Sequence, residues 1–341
     1  MNIAFIIPTG VGCSIGGHAG DATPAAKLMA SLVDKIILHP NVVNASDINE
    51  MPSNALYVEG SILDRFLEGS IELKEVRSNK VLVAVNPPKK AETINAVNAA
   101  KATIGLDATI VELKTPLDMH GWVTEQGIAT GAALGVEELI EQVRELDFDA
   151  FAIASPIQIP EGVALSYFRE IGNVANPWGA IEAIVSRQVA DALNKPVAHA
   201  PIECDDTKDN KELMEILYRE VVDIRKAAEV CSSCYIHCVL KGLHRAPRIG
   251  KGINRDSLVA LISPYGCVGR PHYACFSAGV PVISVLENTT LLKQRDDRII
   301  YVANYLEAAG VVAALQSGVS LESVRLRNKN EEQNKSRNLL V

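Results

Sequence analysis

Apolar residues in this chain come in short unbroken runs, each stopped by proline, glycine or a polar residue, with stretches of helical spacing filling many of the gaps. The runs NIAFIIP (2–8), KIILHP (35–40), KVLVAVN (80–86), ATIVELK (108–114), DAFAIASP (149–156), KPVAHAP (195–201), SCYIHCVL (233–240), SLVALISP (257–264) and PVISVLE (281–287) read as strands. Between them, ATPAAKLMASLV (22–33) offers Thr23 as a cap and Pro24 in the first turn, and AETINAVNAAKATIG (91–105) ends on a glycine. This alternation predicts an α/β fold with mostly parallel sheets, arranged as two Rossmann-like lobes with a cleft between strand-end loops. Thr115 to Gly135 keeps neither period and reads as a long loop or crossover. The boundary is placed there, giving an N-terminal lobe over 1–120 and a second α/β lobe over 121–326. Residues 327–341 are polar and aperiodic and read as a frayed tail.

Two stretches echo one another. AFIIPTGVGCSIGGHAG near the start and ALISPYGCVGRPHYAC near the end each join a strand to a proline, a Gly-Cys pair and a histidine: Cys13 with His18, and Cys267 with His272. Such an echo is compatible with two lobes whose loops face each other.

Composition narrows the class. The 341 residues are 48% hydrophobic and 22% charged, as in a globular protein. With Lys and Arg totalling 33 against 41 Asp and Glu, the net charge of −8 argues against a nucleic-acid partner. No apolar run approaches membrane-spanning length, no basic leader precedes the first strand, and seven cysteines make an odd count. These features predict a cytoplasmic protein with reduced thiols, no membrane partner and, as the commonest assembly, a homo-oligomer.

The candidate chemistry starts at the glycine loop. Gly10, Gly12, Gly16 and Gly17 follow a strand and precede a helix, where backbone N–H groups hold anions. A dinucleotide needs an acidic residue at the end of the second strand, which offers His39, Asn41 and Asn44 instead, and no Lys-Ser or Lys-Thr follows the glycines as in a Walker A loop. A small phosphate or carboxylate is therefore the expected ligand. Cys267, with Arg270 and His272 close by, is the expected nucleophile or proton-transfer base, and Cys13 with His18 its possible counterpart on the opposite face of a reacting carbon. Cys231, Cys234, His237 and Cys238 have a spacing suited to zinc or iron, but no second C-x-x-C completes the set, so no cofactor is expected. A basic cluster around Lys241, His244, Arg245, Arg248 and Lys251 offers an anion clamp or a solvated loop. NPWGAIEAIVSR (176–187) carries Glu182 and Arg187 into a helix, and His199 and Glu203 end a strand, His199 being a candidate acid or base.

AGVPVISVLENTT (278–290) resembles, at the level of fold, the second lobe of nucleotide-sugar glycosyltransferases, with Glu287 placed for a ribose. SIGGHAGDA (14–22), HPNVVNA (39–45), NALYVEG (54–60), LDRF (63–66), CVLKGLHRAP (238–247), ENTT (287–290) and NYLEAAG (304–310) are spread from end to end. On these the chain resembles a conserved family catalogued as a domain of unknown function, which brings no activity with it. The resemblance implies a small residue at the position of Cys13 and an aromatic one at that of His18 in many relatives, which leaves Cys267 the stronger candidate. It also draws attention to Asp21, His39, Asn41, Asn44, Glu59, Asp64, Arg65, Glu287 and Asn288 at strand exits.

The expectation is thus a cytosolic enzyme that binds a small anionic metabolite and works by Cys/His acid–base or nucleophilic chemistry of isomerase, racemase or hydrolase type. A nucleotide-dependent transferase and a non-catalytic metabolite-binding protein are the alternatives.

Overall fold

Asn2–Phe5 (β1) is buried along its whole length because it lies in the middle of a parallel sheet, with core on both faces. In the computed structural model, which describes residues 1–18, 20–43, 51–171, 174–202, 211–212, 215–216, 219–232 and 234–324, the other strands are Lys35–Leu38 (β2), Ala55–Tyr57 (β3), Leu73–Lys74 (β4), Lys80–Val85 (β5), Asp107–Glu112 (β6), Asp118–Val123 (β7), Ala129–Leu134 (β8), Ala150–Pro156 (β9), Val197–Ile202 (β10), Arg248–Ile249 (β11), Leu258–Tyr265 (β12), Val282–Thr289 (β13) and Ile300–Val302 (β14). The helices are Thr23–Ala30 (α1), Pro40–Val43 (α2), Gly60–Leu67 (α3), Ala91–Ile104 (α4), Val136–Val143 (α5), Val163–Arg169 (α6), Gly179–Leu193 (α7), Ala227–Cys231 (α8), Tyr235–His244 (α9), Arg270–Ala278 (α10), Tyr305–Gln316 (α11) and Leu321–Val324 (α12).

The fold is α/β, and its two large sheets are wholly parallel. The first has the order β14-β13-β12-β1-β2-β3, the doubly wound arrangement in which the chain reverses direction across the sheet between β1 and β12. The second has the order β10-β9-β5-β6. Each sheet takes strands from both sides of residue 120, because the second sheet is inserted between β3 and β12 of the first. The two largest apolar clusters each run across both sheets. Ile3, Phe5 and Ile7 pack in one layer with Val81, Val83 and Ala152, and Ala4 and Ile6 in the other with Leu82, Ala84 and Ile153. The two echoing loops leave neighbouring strands, β1 and β12, so they lie side by side in one sheet rather than facing each other from two lobes.

Three local readings are corrected. SCYIHCVL, read as a strand, belongs largely to helix α9, whose buried Ile236, Val239, Leu240 and Leu243 repeat at helical spacing. The stretch from Thr115 to Gly135 holds the antiparallel hairpin β7–β8. Thr23 is the first helical residue rather than a cap, and its hydroxyl donates to the Gly20 carbonyl. The predicted glycine end of α4 is present, with Gly105 left-handed. Among the described residues no helix is long and apolar enough to cross a membrane. The tail at 327–341, Asn44 and Glu203 lie outside the described residues.

Candidate functional site

The glycine loop is gripped by its neighbours through its own backbone. Ile15 donates its N–H to Asn288 Oδ1 at 2.8 Å and receives Asn288 Nδ2 on its carbonyl at 2.8 Å, while the same Nδ2 reaches the Tyr305 hydroxyl. Ser14 N–H goes to the Thr289 carbonyl, Gly17 N–H to the Asn41 carbonyl and His18 N–H to Asp21 Oδ1. The hairpin holds the other end, with Ala129 N–H donating to the Gly10 carbonyl. Gly16 is required here. Its φ is +94°, and a Cβ would meet Ile7 at 2.7 Å. Residues 14, 15, 17 and 18 thus spend their amide donors inside the protein, which removes them from the anion cradle expected of the loop.

Above the loop a small cleft, partly open to solvent, is lined by Thr9, Gly10, Gly12 and Cys13, by Gly16, Gly17, His18 and Asn41, and by Asn176, Gly179 and Glu182 at the start of α7. It lies outside the carboxyl end of β1, beside the reversal in strand order where open α/β sheets bind ligands. Among the described residues no lysine or arginine lines it. Close packing brings α7 to the loop: a Cβ on Gly179 would touch Thr9, and one on Gly10 would touch Ala180. Asn176 accepts from the N–H groups of Trp178 and Gly179 and so fixes the helix start.

Two hydrogen-bonded chains end on this cleft. In the first, the Tyr167 hydroxyl donates to Glu229 at 3.1 Å, so His18 Nδ1 is the donor to Tyr167 at 2.7 Å and Nε2 is the unprotonated nitrogen. Burial, aided by the nearby Arg225 and Lys226 cations, holds His18 down to about 4 and therefore neutral. In the second, His199 Nδ1 is bonded to Glu182 Oε1 at 3.3 Å and Nε2 to Ser155 Oγ at 2.9 Å, with Ser155 Oγ also 3.3 Å from Met119 Sδ. The order Ser–His–carboxylate is that of a hydrolase triad, but the exposure runs the wrong way for one. Ser155 is 0% exposed and the His199 side chain 0%, whereas the Glu182 side chain is 20% exposed and lines the cleft. The end of this chain that reaches the cleft is the carboxylate.

The cysteines are placed differently from the expectation of an activated thiolate. Cys13 lines the cleft and Cys267 sits on the adjacent β12 loop, yet both are buried and hydrogen-bond to proline carbonyls, Cys13 to Pro8 and Cys267 to Pro264. Burial pushes the Cys267 thiol up to about 12 and Cys13 well above its usual value. Arg270 is turned to Glu68 and Asp64. His272 is held by Ser263 Oγ at 3.0 Å and accepts the Gly269 N–H, which caps α10. Little of Cys267 is therefore thiolate at neutral pH. A thiol reagent is therefore expected to label exposed Cys231 promptly and Cys13 and Cys267 only on unfolding, read by mass spectrometry of timed digests.

Several other candidates are engaged in local hydrogen bonds. Glu59 caps α3 by accepting from Ser61 and Ile62, Glu287 accepts from Tyr305 N–H at the start of α11, and Arg245 is exposed at the end of α9. His39 Nδ1 accepts the Asn41 N–H, and Asn41 in turn donates to the Thr9 hydroxyl. Among the described residues no group of three or more His, Cys, Asp or Glu is placed to hold a metal ion, the Cys231–Cys238 segment included. Thr9, Ser155, Asn176, Tyr167 and Glu229 are the site's unforeseen members. Glu182 and His199 are visible in the sequence, though not as partners.

Burial also makes the protein acid-sensitive. His18, His39 and His272 are each lowered from 6.5 to about 4, so their neutral rings favour the folded state fully above pH 6.5, and that advantage is lost as the pH falls towards 4. Asp21, raised from 3.8 to about 6, opposes this over part of the same window. The thermal midpoint should fall on acidification through this range. His272→Gln, which removes one such ring away from the cleft lining, should make the fall shallower.

Comparison with known proteins places the chain. The family profile described as "Protein of unknown function (DUF3326)" matches residues 2–325. An uncharacterized lipoprotein of Synechococcus sp. is 31% identical over 340 residues, covering 94% of this chain and 92% of that protein.

Proposed function

Since the chain belongs to the DUF3326 family, whose description names no activity, its function is read from its own cleft, and we propose that it is a proton-transfer enzyme acting on a small polar metabolite. The observation that carries this reading is the convergence of the two chains, Glu229–Tyr167–His18 and Ser155–His199–Glu182, on one cleft. Glu182 takes a proton from the ligand while His199 holds its carboxylate in place, and His18, which lines the same cleft, exchanges a proton with a second position. Thr9, Asn41 and Asn176 supply hydroxyl and amide groups for orientation. This keeps the isomerase or racemase class and moves its centre from the thiols to Glu182 and His18. The ligand favoured is uncharged and hydrogen-bonding, because among the described residues no lysine or arginine lines the cleft and the amides of residues 14, 15, 17 and 18 are engaged within the protein. A cytoplasmic location is part of the proposal, in keeping with six free cysteines among the described residues. The Synechococcus relative is named a lipoprotein.

The test is incubation of the protein in D2O with panels of sugars, polyols, amides, amino acids and small carboxylates, with loss of ligand C–H signals followed by NMR. Catalysed exchange in one neutral class supports the proposal. Binding of a ligand whose protons all persist and which is chemically unchanged overturns it.

A further inference from the structure

Hydrogen bonding divides the glycine loop in two. In its later half the N–H groups of Ser14, Ile15, Gly17 and His18 are taken by Thr289, Asn288, Asn41 and Asp21. In its earlier half the N–H groups of Gly10, Gly12 and Cys13 have no acceptor among the described residues. These residues are buried, and each of them lines the cleft. A buried backbone donor is nearly always paired, and where the protein offers no acceptor, water or a ligand does. Gly10 and Gly12 are both left-handed, with φ of +77° and +58°, in the kind of turn whose N–H groups can converge on one acceptor.

The carboxylate of the cleft stands beside this half of the loop. A Cβ on Gly10 would lie 3.3 Å from Ala180 Cβ, and one on Gly179 would lie 3.2 Å from Thr9 Cγ2, so the start of α7 packs directly on Thr9 and Gly10. Glu182 follows Gly179 by three positions, which places it on the same side of the helix, and it lines the same cleft. Unpaired amide donors and a carboxylate backed by His199 thus border one small space.

We propose that the amides of Gly10, Gly12 and Cys13 are an oxyanion site, and that the ligand is a neutral carbonyl compound with a hydrogen on the carbon beside the carbonyl. The location rests on the loop's hydrogen bonds, while the chemistry rests on the proton-transfer reading above. A carboxylate takes hydrogen from carbon only where that carbon is acidified. Glu182 receives the proton, the C–H electron pair becomes the carbon–carbon π bond of an enolate, and the carbonyl π pair moves onto oxygen. Donors already fixed around that oxygen bind it more strongly as its charge grows. Return of the proton from Glu182 to carbon reverses each shift and needs no further reactant. A neutral carbonyl also suits a lining without lysine or arginine among the described residues, because amide dipoles act in place of a side-chain cation.

Two NMR measurements on 15N-labelled protein test the proposal. In the free protein the amides of Gly10, Gly12 and Cys13 should exchange with solvent at least about tenfold faster than those of Ser14, Ile15, Gly17 and His18. Equal protection of the two sets overturns it, since the donors are then engaged. The second measurement titrates matched probes, hydroxyacetone against propylene glycol and dihydroxyacetone against glycerol, which differ in having a carbonyl or an alcohol at one carbon. The ketones should shift the Gly10, Gly12 and Cys13 amide resonances at concentrations at least about tenfold lower than the alcohols do. Ketones that move these amides no more than the alcohols, or not at all, overturn it. Glu182→Gln should keep the shifts and lose exchange of the ketone C–H for deuterium. Shifts without any such exchange in wild type would sink the proton-transfer reading and leave the carbonyl site standing. Exchange in wild type with these amides unmoved would do the reverse.

Discussion

Glu182→Gln should reduce ligand proton exchange by about two to four orders of magnitude while leaving the protein folded. Glutamine keeps the length of the side chain and a polar end that can bond His199 Nδ1, so the hydrogen bond at 3.3 Å and the packing of α7 survive. What is lost is the capacity to take and return a proton at the only part of the Ser155–His199–Glu182 chain that lines the cleft. Ser155→Ala is the informative companion. Ser155 is fully buried at the far end, so its removal slackens the His199 ring without touching ligand and should cost far less than Glu182→Gln. Equal damage from the two variants would move the chemistry to the serine and sink the assignment of Glu182. The readout is the rate of deuterium entry at saturating ligand, with binding measured separately so that affinity and chemistry are not confused.

Asn288→Ala should destabilise the protein by about 3–5 kcal/mol, among the larger effects of any single substitution. The side chain is wholly buried at the end of β13 and makes three hydrogen bonds, two to the backbone of Ile15 and one to the Tyr305 hydroxyl. Alanine leaves the Ile15 N–H and carbonyl without partners in a sealed space, each costing about 1–3 kcal/mol, and adds a small cavity. Because Ile15 sits within the glycine loop, the same change should loosen the seat of His18. Chemical denaturation gives the first effect, and faster amide exchange at residues 14–18 the second. A change below about 1 kcal/mol would mean the loop is held chiefly by its other contacts.

The sheet strands were the most legible feature, since runs such as NIAFIIP and SLVALISP are buried on both faces and need no partner to be recognised. The β7–β8 hairpin was hidden for a physical reason. Its positions facing α7 include Gly121 and Gly131, where a Cβ would come within 2.6 Å of the Pro177 carbonyl or 2.5 Å of Ile181, so the apolar alternation that marks a strand is erased by close packing. SCYIHCVL misled because so short an apolar run fits either period until Leu243 is included. At the cleft, the glycines, Cys13, His18 and Asn41 were found from their position after strands. The pairing of Glu182 with His199 and Ser155 was not, because the three come from α7, β10 and β9 and only the packed sheet brings them together. Burial, which reverses the promise of Cys267 as a nucleophile, is likewise a property of the fold and not of its neighbours in sequence.

The placement of β1 beside β12 has a consequence for how the molecule comes into being. Ile3 pairs with Ala260 and Phe5 with Ile262, so the floor of the cleft joins opposite ends of the chain. As the polypeptide leaves the ribosome, β1, β2 and β3 emerge first and wait with an open edge, while the second sheet, with strands lying between residues 80 and 202, has all its partners much earlier. Pairings of such wide separation form slowly and leave unpaired edges exposed in the meantime. The inserted sheet is therefore the natural first unit to consolidate, and the glycine loop acquires its Asn288 and Thr289 grips only when nearly the whole chain has been made.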